Sequence, residues 1–369
     1  MTDQTTRPVP VEQGAFVDLR SDTFSLPSPR MLEAMATARL GDDVYGEDPT
    51  VRELEARAAE LLGKQAAVLM PSGTMANLAA VLAHCPRGTK AIVGDQSDIY
   101  VYEAGGASVC GGVVYHPVPN RPDGTLDQDR LDDAFPDDPE DPQFALPAML
   151  SVENPHNRCG GTVLPADYSR RLSDFARARG IPVHLDGARI FNAAVARNVP
   201  AGDLAAAADS VQFCLSKGLS APAGSMLAGD DAFIKRARRV RKMLGGGMRQ
   251  AGILAAAGLV ALEERAERLE GDHVRARRLA AGLSTVPGLK VLESAVDTNM
   301  VYFSVRDPDF GNEQLLRRAW DAGVRLAELG KGRIRAVTHS GVREADVDRA
   351  VDVVRTVMSG RGHLSGHQR

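Results

Sequence analysis

The feature that most constrains this chain is an alternation, through its first two thirds, of short apolar β-rich stretches with helix-length amphipathic segments. Ala66–Met70, Lys90–Val93, Val113–Val118, Ala148–Val152, Val183–Leu185 and Ser210–Cys214 have the length and composition of buried strands. Such strands separated by helices imply an α/β domain with a mostly parallel sheet. One helix is marked at both ends. Asp48 suits its N-cap and Pro49 its first turn, Val51, Leu54, Ala58, Leu61 and Leu62 share a face, and Gly63 stops it.

With 369 residues the chain exceeds the roughly 250–300 residues at which single cores stop growing, so two domains are expected. From Arg249 to about Gly282 runs a helix-forming segment rich in Ala, Leu, Glu and Arg, a plausible connector. Beyond it, Asn299–Val305, Leu315–Ala322, Arg333–Val337 and Glu344–Met358 suggest a smaller α+β domain. The expected division is an N-terminal arm over 1–30 that packs with the small domain, a large domain over 31–255 and a small domain over 256–369. The first fifteen and last ten residues are expected to fray.

A net charge of −4, with 25% charged residues of both signs, offers no basic field for nucleic acid or an anionic membrane. The start, MTDQTTRPVPVEQG, lacks the basic and apolar regions of a signal peptide, and the longest apolar run, Ala251 to Leu262, is too short to span a bilayer. Cys85, Cys110, Cys159 and Cys214 show no metal or disulfide spacing, and the eight histidines form no HxxxH pair on a helix. These features point to a soluble cytoplasmic protein with a small-molecule partner and no metal.

Three stretches place polar groups where strands end. In PVHLDGAR an apolar strand delivers Asp186 to its carboxyl end, the usual place for ligands in open α/β sheets; taken alone, Asp-Gly is also an ordinary turn. In SVQFCLSKGL, Lys217 follows another apolar strand. Lysine is rarely buried without a partner, and in a pocket a lowered pKa would leave a neutral amine able to form a Schiff base with a carbonyl. In PSGTMAN, Ser72, Gly73 and Thr74 open a helix directly after a strand, where free N–H groups and hydroxyls can cradle a phosphate or simply cap the helix. The stretch matches neither GxxxxGK[ST] nor GxGxxG. Together a phosphate cradle, a strand-end acid and a Schiff-base lysine are the parts that hold pyridoxal 5'-phosphate (PLP), the acid keeping the ring nitrogen protonated.

With these motifs the chain resembles the low-specificity L-threonine aldolases, in the β-eliminating lyase group of the aspartate-aminotransferase fold. The likeness runs from about Val17 to Val357 and rests on DLRSDT, GDDVYGEDPT, PSGTMAN, HLDGAR, LSKGL and LGGGMRQAG. It implies PLP fold type I, with a large α/β domain and a small α+β domain, and retro-aldol Cα–Cβ cleavage of a β-hydroxy-α-amino acid to glycine and an aldehyde. It further implies that Lys217 binds the cofactor, Asp186 pairs with its ring nitrogen, and Ser72, Gly73 and Thr74 hold its phosphate. Arg249 would reach the phosphate of a neighbouring subunit in a homotetramer built from dimers. Ser21, Arg189 and Arg335 would clamp the substrate carboxylate, a task suited to arginine forks, with Arg189 also beside the cofactor. His156, in ENPHN, would stand by the substrate side chain and, with a pKa near neutrality, take the β-hydroxyl proton directly or through a water. Tyr102 and Glu103 match the family's Tyr-Glu pair. Lys242 reads as part of a solvated basic helix face, Gly105 and Gly106 as turn residues, and His339 as structural.

The chain departs from the family at two points. Where the family has Ser-His-Ile, with the histidine lying over the cofactor ring, this sequence reads Ser97-Asp98-Ile99. A carboxylate there opposes charge build-up on the ring unless a cation or proton offsets it. Pro155 stands where threonine is usual, stiffening the loop that carries His156. The departures open alternatives: β-elimination or β-replacement on a cysteine- or serine-like substrate, glycine transfer to another aldehyde, or a non-catalytic cofactor-binding remnant.

Overall fold

A computed structural model describes residues 16–292, 296–307 and 310–360 of the chain. The expectation of frayed termini falls mainly on residues 1–15 and 361–369, outside the described residues.

Seven strands form the central sheet: β2 (Ala66–Met70), β3 (Lys90–Gly94), β4 (Val114–Val118), β5 (Pro147–Glu153), β6 (Val183–Asp186), β7 (Ser210–Cys214) and β8 (Ser225–Gly229). Their order is β2-β8-β7-β6-β5-β3-β4, and every pairing is parallel except those of β8 with β2 and β7. The mostly parallel sheet is as expected; β8, in the run SMLAG, escaped the sequence reading. Its alanine, glycine and serine carry little strand propensity, and burial between two partners holds it in place.

The helices of this part are α1 (Pro29–Ala36), α2 (Pro49–Leu62), α3 (Gly73–His84), α4 (Asp98–Val101), α5 (Ala166–Ala178), α6 (Ile190–Arg197), α7 (Ala201–Ala205) and α8 (Asp231–Met243). In α2 the Asp48 carboxylate accepts from Thr50 N and Val51 N, Pro49 occupies the first turn, and Gly63 ends the helix at φ +62°. Val51, Leu54, Ala58 and Leu62 are buried, worth about 1.5–3 kcal/mol for each large side chain. Buried Asp48 also accepts from Gly41 N and Gly252 N, so one cap ties three segments together.

The 33-residue α9 (Gly252–Ser284) spans both hydrophobic cores. Ala255 through Leu269 belong to the core under the large sheet; Ala276 through Leu283 pack with the strands and helices that follow. Along α9 the change from one core to the other falls between Leu269 and Ala276. The second core is built on β9 (Leu289–Val291), β10 (Met300–Val305), β12 (Ala327–Glu328) and β13 (Ile334–Val337), ordered β12-β13-β10-β9, with α10 (Gly311–Asp321) and α11 (Glu344–Ser359). The N-terminal β1 (Val17–Asp18) pairs in parallel with β11 (Val324–Arg325), which attaches the arm to this second core. Among the described residues, no helix is long and apolar enough to cross a membrane.

Candidate active site

The carboxyl ends of β3, β5, β6 and β7 deliver Asp98, Glu153, Asp186 and Lys217 to one region, because parallel strands release their following loops at the same edge. Glu153 and Asp186 are register partners on β5 and β6, as are Asp186 and Gln212 on β6 and β7.

Asp186 is fully buried. Its Oδ2 accepts from Asn77 Nδ2 at 2.8 Å; its Oδ1 accepts from Gln212 Nε2 at 2.5 Å and from the Ala188 amide at 3.0 Å. Burial, with Asp98 nearby, raises its carboxyl above the ordinary value, and the Lys217 charge and the Asn77 and Ala188 donors offset only part of that rise. Glu103 accepts the second Asn77 hydrogen at 2.7 Å, and burial raises its carboxyl to about 8. Burial, with Asp98 and Asp186 nearby, likewise raises Glu153, whose two oxygens accept from the Asp98 and Asn157 amides at 2.8 Å.

Lys217 is half-buried, its carbonyl receives the Ser25 hydroxyl at 2.9 Å, and its Nζ has no hydrogen-bond partner among the described residues. The expected fall in its pKa is overturned. Burial does pull it down, but Cys214, Asp98 and Asp186 outweigh burial and Arg189, and the net direction is upward. In this acidic surrounding the free amine holds its proton.

At the α3 N-terminus, Ser72 Oγ caps the Met75 amide at 3.2 Å, leaving the Gly73 and Thr74 amides without a partner among the described residues. A Cβ on Gly73 would come within 2.8 Å of Cys214 Sγ, so glycine lets this helix start close against β7.

Arg189 is buried with its Nε and Nη2 on the two oxygens of Asp22, at 2.7 and 2.6 Å. Its fork is therefore filled by the protein. Burial alone would raise the Asp22 carboxyl, but Arg189, with Lys217 and Arg335, holds it well below the usual range. Ser21 is the cap of the short turn that carries Asp22, accepting from Thr23 N at 3.3 Å. Arg335 donates to Asn157 Oδ1 at 2.5 Å and to the Arg20 carbonyl at 3.1 Å, and its Nε is buried without a partner. Asn157 completes a bridge by donating from Nδ2 to both Asp98 oxygens. Asp98 thus lies inside the site, half-buried, with its charge acting on Lys217, Arg189 and Asp186.

His156 departs from expectation. Its ring is fully buried, neither nitrogen has a partner, and burial pushes its pKa down to about 4 rather than leaving it near neutrality. Glu153 Oε1 lies 3.8 Å from Nδ1. Tyr102 is half exposed, its hydroxyl accepting from Arg158 Nη1 at 2.5 Å. Arg249 is not gathered with the others: it pairs with Asp42 at 2.9 Å and is 54% exposed.

Sequence reasoning passed over Asn77, Asp22, Glu153, Asn157 and Gln212, the residues that orient the charged groups. A signal existed for Gln212, a polar side chain set between Val211 and Phe213 in a buried strand. Among the described residues no cluster of three or more His, Cys, Asp or Glu could hold a metal ion. A cleft of about 1200 Å³ lined by Arg20, Arg268, Arg275, Arg325 and His339 contains none of the predicted site residues.

A buried acid fed by three N–H donors, an unpartnered amine and a helix start with free amides suit a cationic ring nitrogen, an aldehyde and a phosphate. The residues present therefore fit PLP, and the fold and site together define a PLP-dependent enzyme of fold type I. The β-eliminating lyase family model matches residues 18–306, and the chain belongs to that family. It is 49% identical over 327 residues to the low specificity L-threonine aldolase of Escherichia coli (strain K12), covering 89% of this chain and 95% of that protein. It is 44% identical over 333 residues to low-specificity L-threonine aldolase 1 of Arabidopsis thaliana, covering 90% and 93%. The fold matches the Leishmania major threonine aldolase structure with a TM-score of 0.76 at 21% identity, covering 93% of this chain and 99% of that one.

Proposed function

We propose that this protein is a PLP-dependent carbon–carbon lyase that cleaves a β-hydroxy-α-amino acid of the L-threonine or L-allo-threonine type to glycine and an aldehyde. The observation that carries the reading is the pairing of buried, three-donor Asp186 with the unpartnered Lys217 amine at one sheet edge. The names of the Escherichia coli and Arabidopsis relatives support the choice of substrate.

When bound, PLP supplies a ring that accepts the electron pair of the bond broken at the substrate α-carbon. Lys217 would hold the cofactor aldehyde through its amine, Asp186 would face the ring nitrogen, and the Gly73 and Thr74 amides with the Ser72 and Thr74 hydroxyls would receive the phosphate. Arg335 is the arginine better placed for the substrate carboxylate, because its Nε is unpaired while Arg189 is engaged by Asp22. Ser21, at the turn between them, would add a hydroxyl. His156, neutral and with both nitrogens unpartnered, is the group to take the β-hydroxyl proton once substrate or a water reaches it, and Tyr102 would line that side. Arg249, exposed and outside its own chain's site, would serve a neighbouring subunit's phosphate in a homotetramer of paired dimers. All four cysteines are free, which suits a reducing compartment such as the cytoplasm.

A second reading has one observation in its favour. The Asp98 carboxylate is anchored toward the site by Asn157. A fixed anion there would favour a substrate with a cationic group, or β-elimination, β-replacement or glycine transaldol chemistry. The test is a screen of L-threonine, L-allo-threonine, phenylserine, L-serine and L-cysteine against wild type and Asp98→His. Aldehyde from the hydroxy amino acids supports the aldolase, pyruvate with ammonia or sulfide supports elimination, and turnover of none by either protein rejects both.

A further inference from the structure

Between α3 and the strands β6 and β7 runs a seam of polar side chains where an apolar contact would ordinarily lie. His184 and Asp186 occupy one face of β6, and their register partners Ser210 and Gln212 occupy the same face of β7. Asn77 and His84, seven residues or two turns apart, lie on α3 above them. Asn77, His184 and Ser210 are each 2% exposed or less.

The contacts are continuous. His84 Nε2 lies 2.8 Å from Ser210 Oγ, which lies 2.9 Å from His184 Nδ1; His184 Nε2 lies 3.0 Å from Asn77 Oδ1. Asn77 Nδ2 then reaches Asp186 Oδ2 and Glu103 Oε1. Chemistry sets the direction of each bond. As a carboxylate, Asp186 Oδ2 can only accept, so the Asn77 atom facing it is Nδ2 and Asn77 Oδ1 must accept from His184. His184 therefore carries its hydrogen on Nε2. Burial pushes its pKa to about 3, so the ring is neutral and Nδ1 is an acceptor. The Ser210 hydroxyl must donate to it, and Ser210 Oγ in turn accepts from Nε2–H of His84, which burial likewise keeps neutral with a pKa of about 4. Every donor points toward Asp186. Aligned bonds polarise one another in a low-dielectric interior, so the last donor meets the carboxylate more strongly than an isolated amide would.

We propose that His84, Ser210, His184 and Asn77 form a one-way hydrogen-bond relay that holds Asp186 ionised and oriented, and thereby tunes the protonation of the cofactor ring nitrogen. The inference rests on the reading that Asp186 faces that nitrogen. These are positioning residues, since only Asp186 would touch the ring. One helix then links three tasks: its start receives the phosphate, its middle holds the acid, and its end anchors the relay at His84, whose ring stacks on Phe233 at 4.5 Å.

The test uses the holoenzyme. Long-range ¹H–¹⁵N spectra of the wild type should show His84 and His184 as neutral Nε2–H tautomers; an Nδ1–H tautomer on His184 overturns the relay, whatever any variant does. The visible absorbance of bound PLP, followed against pH, supplies the second readout. Ser210→Ala, which deletes one hydroxyl, should shift the titration midpoint by about half a unit or more while PLP remains bound, and Ser210→Thr should restore it. An unchanged midpoint in Ser210→Ala, alongside a shifted one in Asp186→Asn, overturns the relay and leaves the Asp186 assignment standing. An unchanged midpoint in Asp186→Asn rejects that assignment itself.

Discussion

Asn157 Nδ2 lies 3.0 and 3.2 Å from the two oxygens of Asp98, and the same amide accepts from Arg335 at 2.5 Å through Oδ1. One neutral side chain thus joins the residue that departs from the family pattern to the arginine assigned to the substrate carboxylate. Tyr302 steadies the bridge by donating to the Asn157 carbonyl at 2.5 Å. The expected outcome for Asn157→Ala is a rise of roughly tenfold or more in KM for L-threonine with a smaller change in kcat, since a hydrogen bond to a charged group contributes about 1.5–3 kcal/mol. Steady-state kinetics checks this, and an unchanged KM would detach Arg335 from substrate binding.

Asp22 and Arg189 form a bidentate pair with both partners buried. Asp22→Ala leaves a buried, uncompensated guanidinium, for which a loss of about 3–5 kcal/mol is expected in denaturant unfolding. The sign of its pH dependence follows from the lowered carboxyl. The folded state holds Asp22 below its unfolded pKa, so the stabilisation is full above the ordinary carboxylate range and is lost progressively as pH falls from that range toward the lowered folded-state pKa. The gap between wild type and variant should therefore be widest near neutrality and narrow in acid.

With its pKa near 4, His156 stays neutral across the physiological range. The kcat/KM profile for amino-acid cleavage should show no inflection between pH 6 and 7 that disappears in His156→Asn, the acid limb belonging to His156 lying near pH 4 instead. His156→Asn should lower kcat by about 10²–10⁴-fold if it handles the β-hydroxyl proton. A neutral inflection lost in the variant would mean that His156 keeps an ordinary imidazole pKa in the free enzyme, against the effect of its burial.

Arg249 and Asp42 pair at the surface, where solvent screening leaves an ion pair little net effect on stability. Arg249→Ala should barely alter unfolding of the chain, yet weaken PLP retention measured by equilibrium dialysis if the guanidinium serves a neighbouring subunit. Equal PLP affinity in the variant, at concentrations where subunits are associated, would remove Arg249 from the cofactor site.

Gly73→Ala tests the close start of α3. Its Cβ would come within 2.8 Å of Cys214 Sγ, and overpacking of this kind costs about 1–3 kcal/mol. The expected result is weaker PLP binding, because the helix must lift from β7. Gly73→Ala with Cys214→Ala should recover part of the loss.

Much of this molecule is legible in one dimension. The α/β class, the capped helix α2 and the strand-end positions of Asp186 and Lys217 follow from apolar periodicity and from turn and cap residues, which act over a few neighbours and so leave their mark on local sequence. The motif resemblance adds the family and the cofactor. Tertiary structure decided what periodicity does not encode. It inserted β8 antiparallel between β2 and β7, and it carried the first core well into α9. It spent the Arg189 fork on Asp22, buried His156 enough to lower its pKa, and surrounded Lys217 with enough negative charge to raise its own. Those outcomes depend on desolvation and on Coulomb and hydrogen-bond interactions between residues far apart in the chain, such as the ion pair of Asp22 with Arg189 and the hydrogen bond of Arg335 to Asn157. Such terms exist only once the strands have brought their loops to one edge.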